Sequence, residues 1–184
     1  MAEIILITGG SRSGKSAFAQ QLAEQQAGAR LFLATCPVTD SEMGERIQRH
    51  IADRRQSGWE TVEEQVEITG QLAVATGYGV VLIDCLTLWV NNLMFDFQRG
   101  GKALNEDCIT EKTIELVAAA GKCPARVIFV TNEVGAGIVP DNRDARLYRD
   151  LIGRCNQQVA AAADSVYLVS CGIPMQIKGT SDGV

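Results

Sequence analysis

Histidine is almost missing from this chain: His50 is the one imidazole in 184 residues. Six cysteines are present (Cys36, Cys85, Cys108, Cys123, Cys155 and Cys171), and no two of them are spaced C-x-x-C. One histidine and scattered thiols exclude zinc-finger spacing and point to reduced cysteines in a cytoplasmic protein. Positive charge is not in excess. Lys and Arg number 17 against 22 Asp and Glu, a formal net charge of −5. That balance argues against a nucleic-acid partner, while leaving room for a local basic pocket. No apolar run approaches the roughly 18 residues a membrane helix needs, so no integral membrane segment is expected. Nor does the N-terminus combine a basic flank, an apolar stretch and a small-residue cleavage site, and no secretory leader is expected. Internal repeats and low-complexity segments are also lacking. Apolar residues are plentiful at 46%, and the length suits a single domain over residues 1–184, with residues 179–184 a frayed tail.

Short β-branched runs alternate with longer helical patterns. Residues 3–8 (EIILIT), 29–35 (ARLFLAT), 79–84 (GVVLID), 126–131 (RVIFVT) and 165–169 (SVYLV) read as strands, with 59–62 a shorter one. Helices are expected over 15–26, 66–76, 86–97, 105–120 and 141–163. Thr39 and Glu42 have capping-box spacing, so a further helix should run to about residue 56. Residues 98–102 and 132–140 read as loops, and 173–177 as an antiparallel edge strand. The result is an α/β class: a mostly parallel sheet covered by helices on both faces.

Gly9-Gly10-Ser11-Arg12-Ser13-Gly14-Lys15-Ser16 matches G-x-x-x-x-G-K-[ST] at every fixed position, between a strand and a helix. Glycines let backbone N–H groups turn towards phosphate oxygens, and the helix N-terminus adds its partial positive charge. Lys15 is expected on the β- and γ-phosphates and Ser16 on Mg²⁺. The strand 79–84 ends in Asp84, a carboxylate suited to hold the same Mg²⁺ directly or through water.

On a helix, Met43, Ile47 and Ile51 form an apolar stripe, and Arg46, His50 and Arg54 stand in a bordering row. Two guanidinium groups disfavour the protonated ring and neutralise phosphate oxygens, which suits attack on phosphorus. The pattern alone favours the other reading, a solvated helix face with a boundary histidine. Asn132 and Glu133 sit in a loop that should reach the ligand-binding edge of the sheet; a purely structural turn needing Gly135 and Gly137 is the other reading. Trp89, Leu93, Met94 and Phe95 are core residues, or else pack on a large substrate or a neighbouring subunit.

Three segments in this order (ITGGSRSGKS, RIQRH and VTNEVGAGIVP) closely resemble the bifunctional adenosylcobinamide kinase/adenosylcobinamide-phosphate guanylyltransferases of cobalamin biosynthesis. The likeness runs from about Ile4 to Lys178. It implies two reactions. In the first, a nucleoside triphosphate, ATP or GTP, phosphorylates the aminopropanol hydroxyl of adenosylcobinamide. In the second, a histidine attacks the α-phosphorus of GTP, pyrophosphate leaves, and GMP passes to adenosylcobinamide phosphate. The histidine after R-I-Q-x is the nucleotide carrier, here His50. The implied nucleotide site comprises Gly9, Gly10, Ser11, Arg12, Ser13, Gly14, Lys15, Ser16, Ala34, Thr35, Cys36, Ile51, Ala52, Asp53, Arg54, Glu63 and Asp84. The resemblance further implies a RecA-like P-loop NTPase fold and a homotrimer. Two positions depart from some relatives: Arg49 stands where they carry a second histidine, and Asp84 where they carry Glu. On the residues alone, two other functions remain: a small-metabolite kinase, which needs no histidine, and a nucleotide-driven switch, although no N-K-x-D segment is present.

Overall fold

The computed structural model describes residues 2–37, 54 and 57–179. The expected helix over residues 39–56 therefore lies, apart from Arg54, outside the described residues, as does the tail beyond residue 179. In chain order the elements are β1 (Ile4–Gly9), α1 (Lys15–Glu24), β2 (Ala29–Ala34), β3 (Trp59–Glu63), α2 (Ile68–Val74), β4 (Tyr78–Asp84), α3 (Leu86–Arg99), α4 (Glu106–Lys122), β5 (Arg126–Val130), α5 (Arg143–Ala162), β6 (Ser165–Ser170) and β7 (Ile173–Lys178).

The strands form one seven-stranded sheet in the order β3-β2-β4-β5-β1-β6-β7. All neighbours are parallel except β6 and β7, which pair antiparallel. Alternation along the central strands explains why they read as unbroken apolar runs. Leu6, Val81, Ile83, Val127 and Phe129 face the larger core, with Leu72, Trp89, Leu116 and Leu151 of four helices. Ile5, Ile7, Val80, Leu82, Ile128 and Val130 face the other core, with Ala19 and Ala23 of α1. Both faces must be apolar when both are covered, so no polar period appears. Each fully buried Leu, Ile or Phe contributes about 1.5–3 kcal/mol. Among the described residues, no helix is long and apolar enough to cross a membrane.

Several boundaries shift for local reasons. The helix expected from residue 66 starts at Ile68, because the Glu64 carboxylate accepts the N–H groups of Val66 and Glu67 at 2.9 Å and makes that stretch a turn. The long helix expected from residue 141 starts at Arg143. The Asn142 side chain accepts from the N–H groups of Asp144 and Ala145 and caps it. Gln98 and Arg99, expected in a loop, complete α3, and the chain leaves the helix at Gly100.

Candidate active site

The carboxyl ends of β4 and β5, with Asp84 and Val130, form one wall of a cavity of about 390 Å³, and the turn from β1 into α1 closes it. Its shape follows from the glycines. Gly9 has φ +149°, and a Cβ there would stand 2.2 Å from the Val169 carbonyl oxygen of the neighbouring strand. Gly14 has φ +98°, and a Cβ would stand 3.1 Å from the Cα of Gly172. Arg12 adopts φ +55° in the same turn, a left-handed conformation that few side-chain-bearing residues take. The turn is held from both sides. The Glu133 N–H donates to the Gly9 carbonyl at 3.0 Å, and the Gly172 N–H donates to the Ser13 carbonyl at 2.8 Å. Thus the TNEVG segment and the β6–β7 turn clasp the loop.

α1 begins at this turn with no side-chain cap and no acidic residue in its first turn. Uncapped N–H groups and the helix dipole leave it open to an anion. The buried Lys15 ammonium crosses the loop, donating to the Gly10 carbonyl at 2.5 Å and to the Ser13 hydroxyl at 3.4 Å. Burial lowers its pKa, and the charge of Asp84 opposes that shift.

Asp84 ends β4, two strands from β1, with β5 between them; at about 4.8 Å per strand this is roughly 10 Å. Burial pushes its carboxyl pKa up, against the Ser16 hydrogen bond and the charges of Lys15 and Arg54, which pull it down. A carboxylate and a hydroxyl in contact beside an anion site form a hard-oxygen donor pair. That is the chemistry Mg²⁺ selects when phosphates and waters complete its shell. The residues present therefore fit the metal.

The Asp84–Cys85 peptide is cis. Thr35, fully buried, brackets the residue after it: its hydroxyl donates to the Cys85 carbonyl at 2.8 Å and accepts the Cys85 N–H at 2.7 Å. The Asn92 amide in turn donates to the Thr35 carbonyl at 2.8 Å. The Thr35 side chain thus positions the strand end that carries Asp84, and it presents no free surface to a ligand.

The expected nucleotide residues divide along the sheet edge. Gly9 to Ser16 and Asp84 come together around the cavity. Ala34, Thr35, Cys36 and Glu63 occupy the ends of β2 and β3. Glu63 is exposed on the edge strand, four strand spacings or about 19 Å from β1. Arg54 joins these two groups. Its guanidinium lies 3.8 Å from the centroid of the Phe32 ring, donates to the Thr61 hydroxyl at 3.4 Å, and its charge reaches Asp84. His50, Ile51, Ala52 and Asp53 lie outside the described residues.

Other contributors lie outside the phosphate loop. Asn132 lines the cavity and donates to the Thr87 hydroxyl at 3.2 Å, which also meets the Cys85 thiol at 2.8 Å. The Asn156 amide holds the Asn132 carbonyl at 3.2 Å, and its oxygen accepts from Thr131 at 2.7 Å. Asn132 was legible as a candidate from its loop. Thr87 and Gly172 had no signal as site residues, because their partners lie far away in sequence.

A strand, a glycine turn over an open helix end, a lysine across the turn and a Ser–Asp pair define a P-loop nucleotide-binding protein. Comparison with solved structures agrees. An ATPase of a bacterial type III secretion system superposes with a TM-score of 0.59 at 13% identity, over 91% of this chain and 51% of that one. That likeness concerns fold alone. Residues 5–177 match the family cobinamide kinase / cobinamide phosphate guanyltransferase, CobU. Curated relatives named bifunctional adenosylcobalamin biosynthesis protein CobU are 44% identical in Salmonella typhimurium and 43% identical in Escherichia coli. Each match covers 95% of this chain and 99% of the relative. A Pseudomonas aeruginosa relative named CobP is 38% identical, over 95% of this chain and 96% of its own length. The chain belongs to the cobinamide kinase / cobinamide phosphate guanyltransferase family.

Proposed function

We propose that this protein carries out two transfers in adenosylcobalamin biosynthesis at one nucleotide site, with His50 as a temporary holder of GMP. The family is a kinase and guanylyltransferase family, and the observation that supports the residue roles is the cradle itself. An uncapped helix N-terminus lies under Lys15, beside the Ser16–Asp84 pair. In the kinase step, the N–H groups of the Gly9-to-Ser16 turn bind the triphosphate of ATP or GTP, and Lys15 shifts from the Gly10 carbonyl to the phosphates. The hydroxyl oxygen of adenosylcobinamide forms a bond to the γ-phosphorus as the bond to the β-phosphate oxygen breaks; the nucleoside diphosphate leaves and the hydroxyl proton passes to solvent. Ser16 and Asp84 would hold Mg²⁺, which supplies positive charge against the phosphate oxygens.

In the second step a neutral nitrogen of His50 bonds to the α-phosphorus of GTP, and pyrophosphate leaves. The phosphate of adenosylcobinamide phosphate then displaces the histidine, breaking the P–N bond and giving adenosylcobinamide-GDP. A phosphoramidate splits one displacement into two and is labile enough to pass its group on. Arg54 supports this assignment. It belongs to the same row as His50 in sequence, and its charge acts on Asp84 at the cradle. A homotrimer in the cytoplasm completes the reading.

The test is mass spectrometry after incubation with GTP and Mg²⁺. A GMP adduct on His50, labile to acid and stable to base, is expected. His50→Asn should abolish the adduct and GMP transfer while the phosphorylation step continues. Turnover to adenosylcobinamide-GDP without any adduct on the wild-type protein would refute the carrier role.

A further inference from the structure

A second cavity, of about 430 Å³, opens between α3, the chain before α4 and the start of α5. Its floor is apolar: Met94, Phe95, Leu104 and Leu147 line it, with Phe95 59% exposed. Its polar side chains are the carboxamides of Asn91 and Gln98, the Tyr148 hydroxyl and one charge of each sign, Lys102 and Asp144, so its formal charge is balanced.

The position of the groove is informative. Leu86, Trp89, Val90 and Leu93 of α3 are buried in the core. Thr87, Asn91, Met94, Phe95 and Gln98 recur at helical spacing and form a second stripe. That stripe starts at the nucleotide cavity, where the Thr87 hydroxyl meets Asn132 and Cys85. It ends in the groove. At 1.5 Å per residue, Asn91 stands about 6 Å beyond Thr87 along the helix, and Phe95 about 12 Å. Tyr148 of α5 lines the groove and ties it to the start of the stripe, its hydroxyl donating to the Thr87 carbonyl at 3.1 Å.

We infer that this groove seats the bulk of the acceptor substrate: the amide-fringed, apolar corrin ring of the alcohol that is phosphorylated. The inference rests on the two-transfer reading above. An apolar lining interspersed with carboxamides matches an apolar ring edged by carboxamides. A balanced charge favours that ligand over a nucleotide or a phosphorylated surface. The stripe then leads the hydroxyl-bearing arm along α3 to the triphosphate. The Trp89–Phe95 cluster accordingly has two jobs. Trp89 and Leu93 are core, and Met94 and Phe95 face the groove.

The experiment uses Asn91→Ala and Phe95→Ala in the full chain, with Ile114→Ala, an exposed residue on α4, as the control. Three quantities are read: KM for adenosylcobinamide in the kinase step, labelling of the protein by α-labelled GTP alone, and assembly mass by sedimentation. Losing one apolar or carboxamide contact should raise KM about tenfold, with labelling by GTP and the sedimentation unaltered. A rise in KM below about threefold in both variants overturns the inference. So does a loss of assembly mass, which would make the groove a seam between copies of this chain. Failure of the wild-type protein to label with GTP would sink the histidine carrier instead, because the kinase KM is measured without it.

Discussion

Replacing Gly9 by alanine probes the join between sheet and phosphate loop, where the two make their closest approach. Gly9 is the last residue of β1 and pairs with Val169 of β6. Its φ of +149° already disfavours a side chain, at about 1–3 kcal/mol. A Cβ would also stand 2.2 Å from the Val169 carbonyl oxygen and 2.9 Å from the Ser13 hydroxyl. The hydroxyl can rotate away. The carbonyl belongs to a paired strand, so β1 and β6 must separate locally, which adds about 1–3 kcal/mol. The sum is about 2–6 kcal/mol. For a chain of this length each 1 kcal/mol lowers Tm by about 2–4 °C, giving a loss on the order of 5–20 °C. Gly10 is the internal control: nothing lies within 4 Å of a Cβ built there. Gly10→Ala should therefore stay within about 1 kcal/mol of wild type. Scanning calorimetry of both variants, with and without GTP and Mg²⁺, reads the result. Gly9→Ala should also lose the nucleotide-induced rise in Tm. Equal melting temperatures for the two variants would refute the argument from close approach.

The remaining predictions follow from the same cavity. The Asp84 carboxyl has an ordinary pKa of 3.8 that burial raises in the folded protein. The native state then holds the proton more tightly than the unfolded chain, so stability falls as pH rises from about 4 through the folded pKa, and the deficit is complete above it. Asp84→Asn should flatten that fall in urea midpoints measured against pH and abolish Mg²⁺-dependent phosphoryl transfer; parallel pH profiles would contradict the burial argument. Thr35→Val should cost about 2–4 kcal/mol, because the Cys85 N–H and carbonyl both lose their partner in a dry site. Thr35→Ser, which keeps the hydroxyl, should cost about 1 kcal/mol in the same denaturation assay. The His50→Asn adduct experiment and the Asn91 and Phe95 kinetics test the chemistry.

What could be read from sequence divides by range. β1, β4 and β5 were legible because Leu6, Ile7, Val81, Leu82, Ile128 and Phe129 are apolar on both faces, the mark of a strand covered twice. The phosphate loop was legible because its glycines, lysine and serine are contiguous, and Asp84 because it closes an apolar run. Arrangements made across the fold left no local trace. Nothing near Thr35 announces that its hydroxyl brackets Cys85, fifty residues on. Nothing near Gly172 announces its hold on Ser13. The Trp89–Phe95 cluster was ambiguous for a related reason: one helix turn presents residues to both core and groove, and only the neighbouring α5 decides which. The short α2 shows the reverse case, local hydrogen bonds accepted by the Glu64 carboxylate outweighing a helical pattern.

The Ser13–Gly172 hydrogen bond couples the second residue-dozen of the chain to almost its last. β1 pairs with β5 on one side and β6 on the other, so during synthesis it waits for strands far downstream before it has neighbours. A nascent chain that stops short of the β6–β7 hairpin lacks the clasp on its phosphate loop, however much of the motif it already contains. The grip on the phosphate loop is therefore a late event of folding, set by residues far from the motif it steadies.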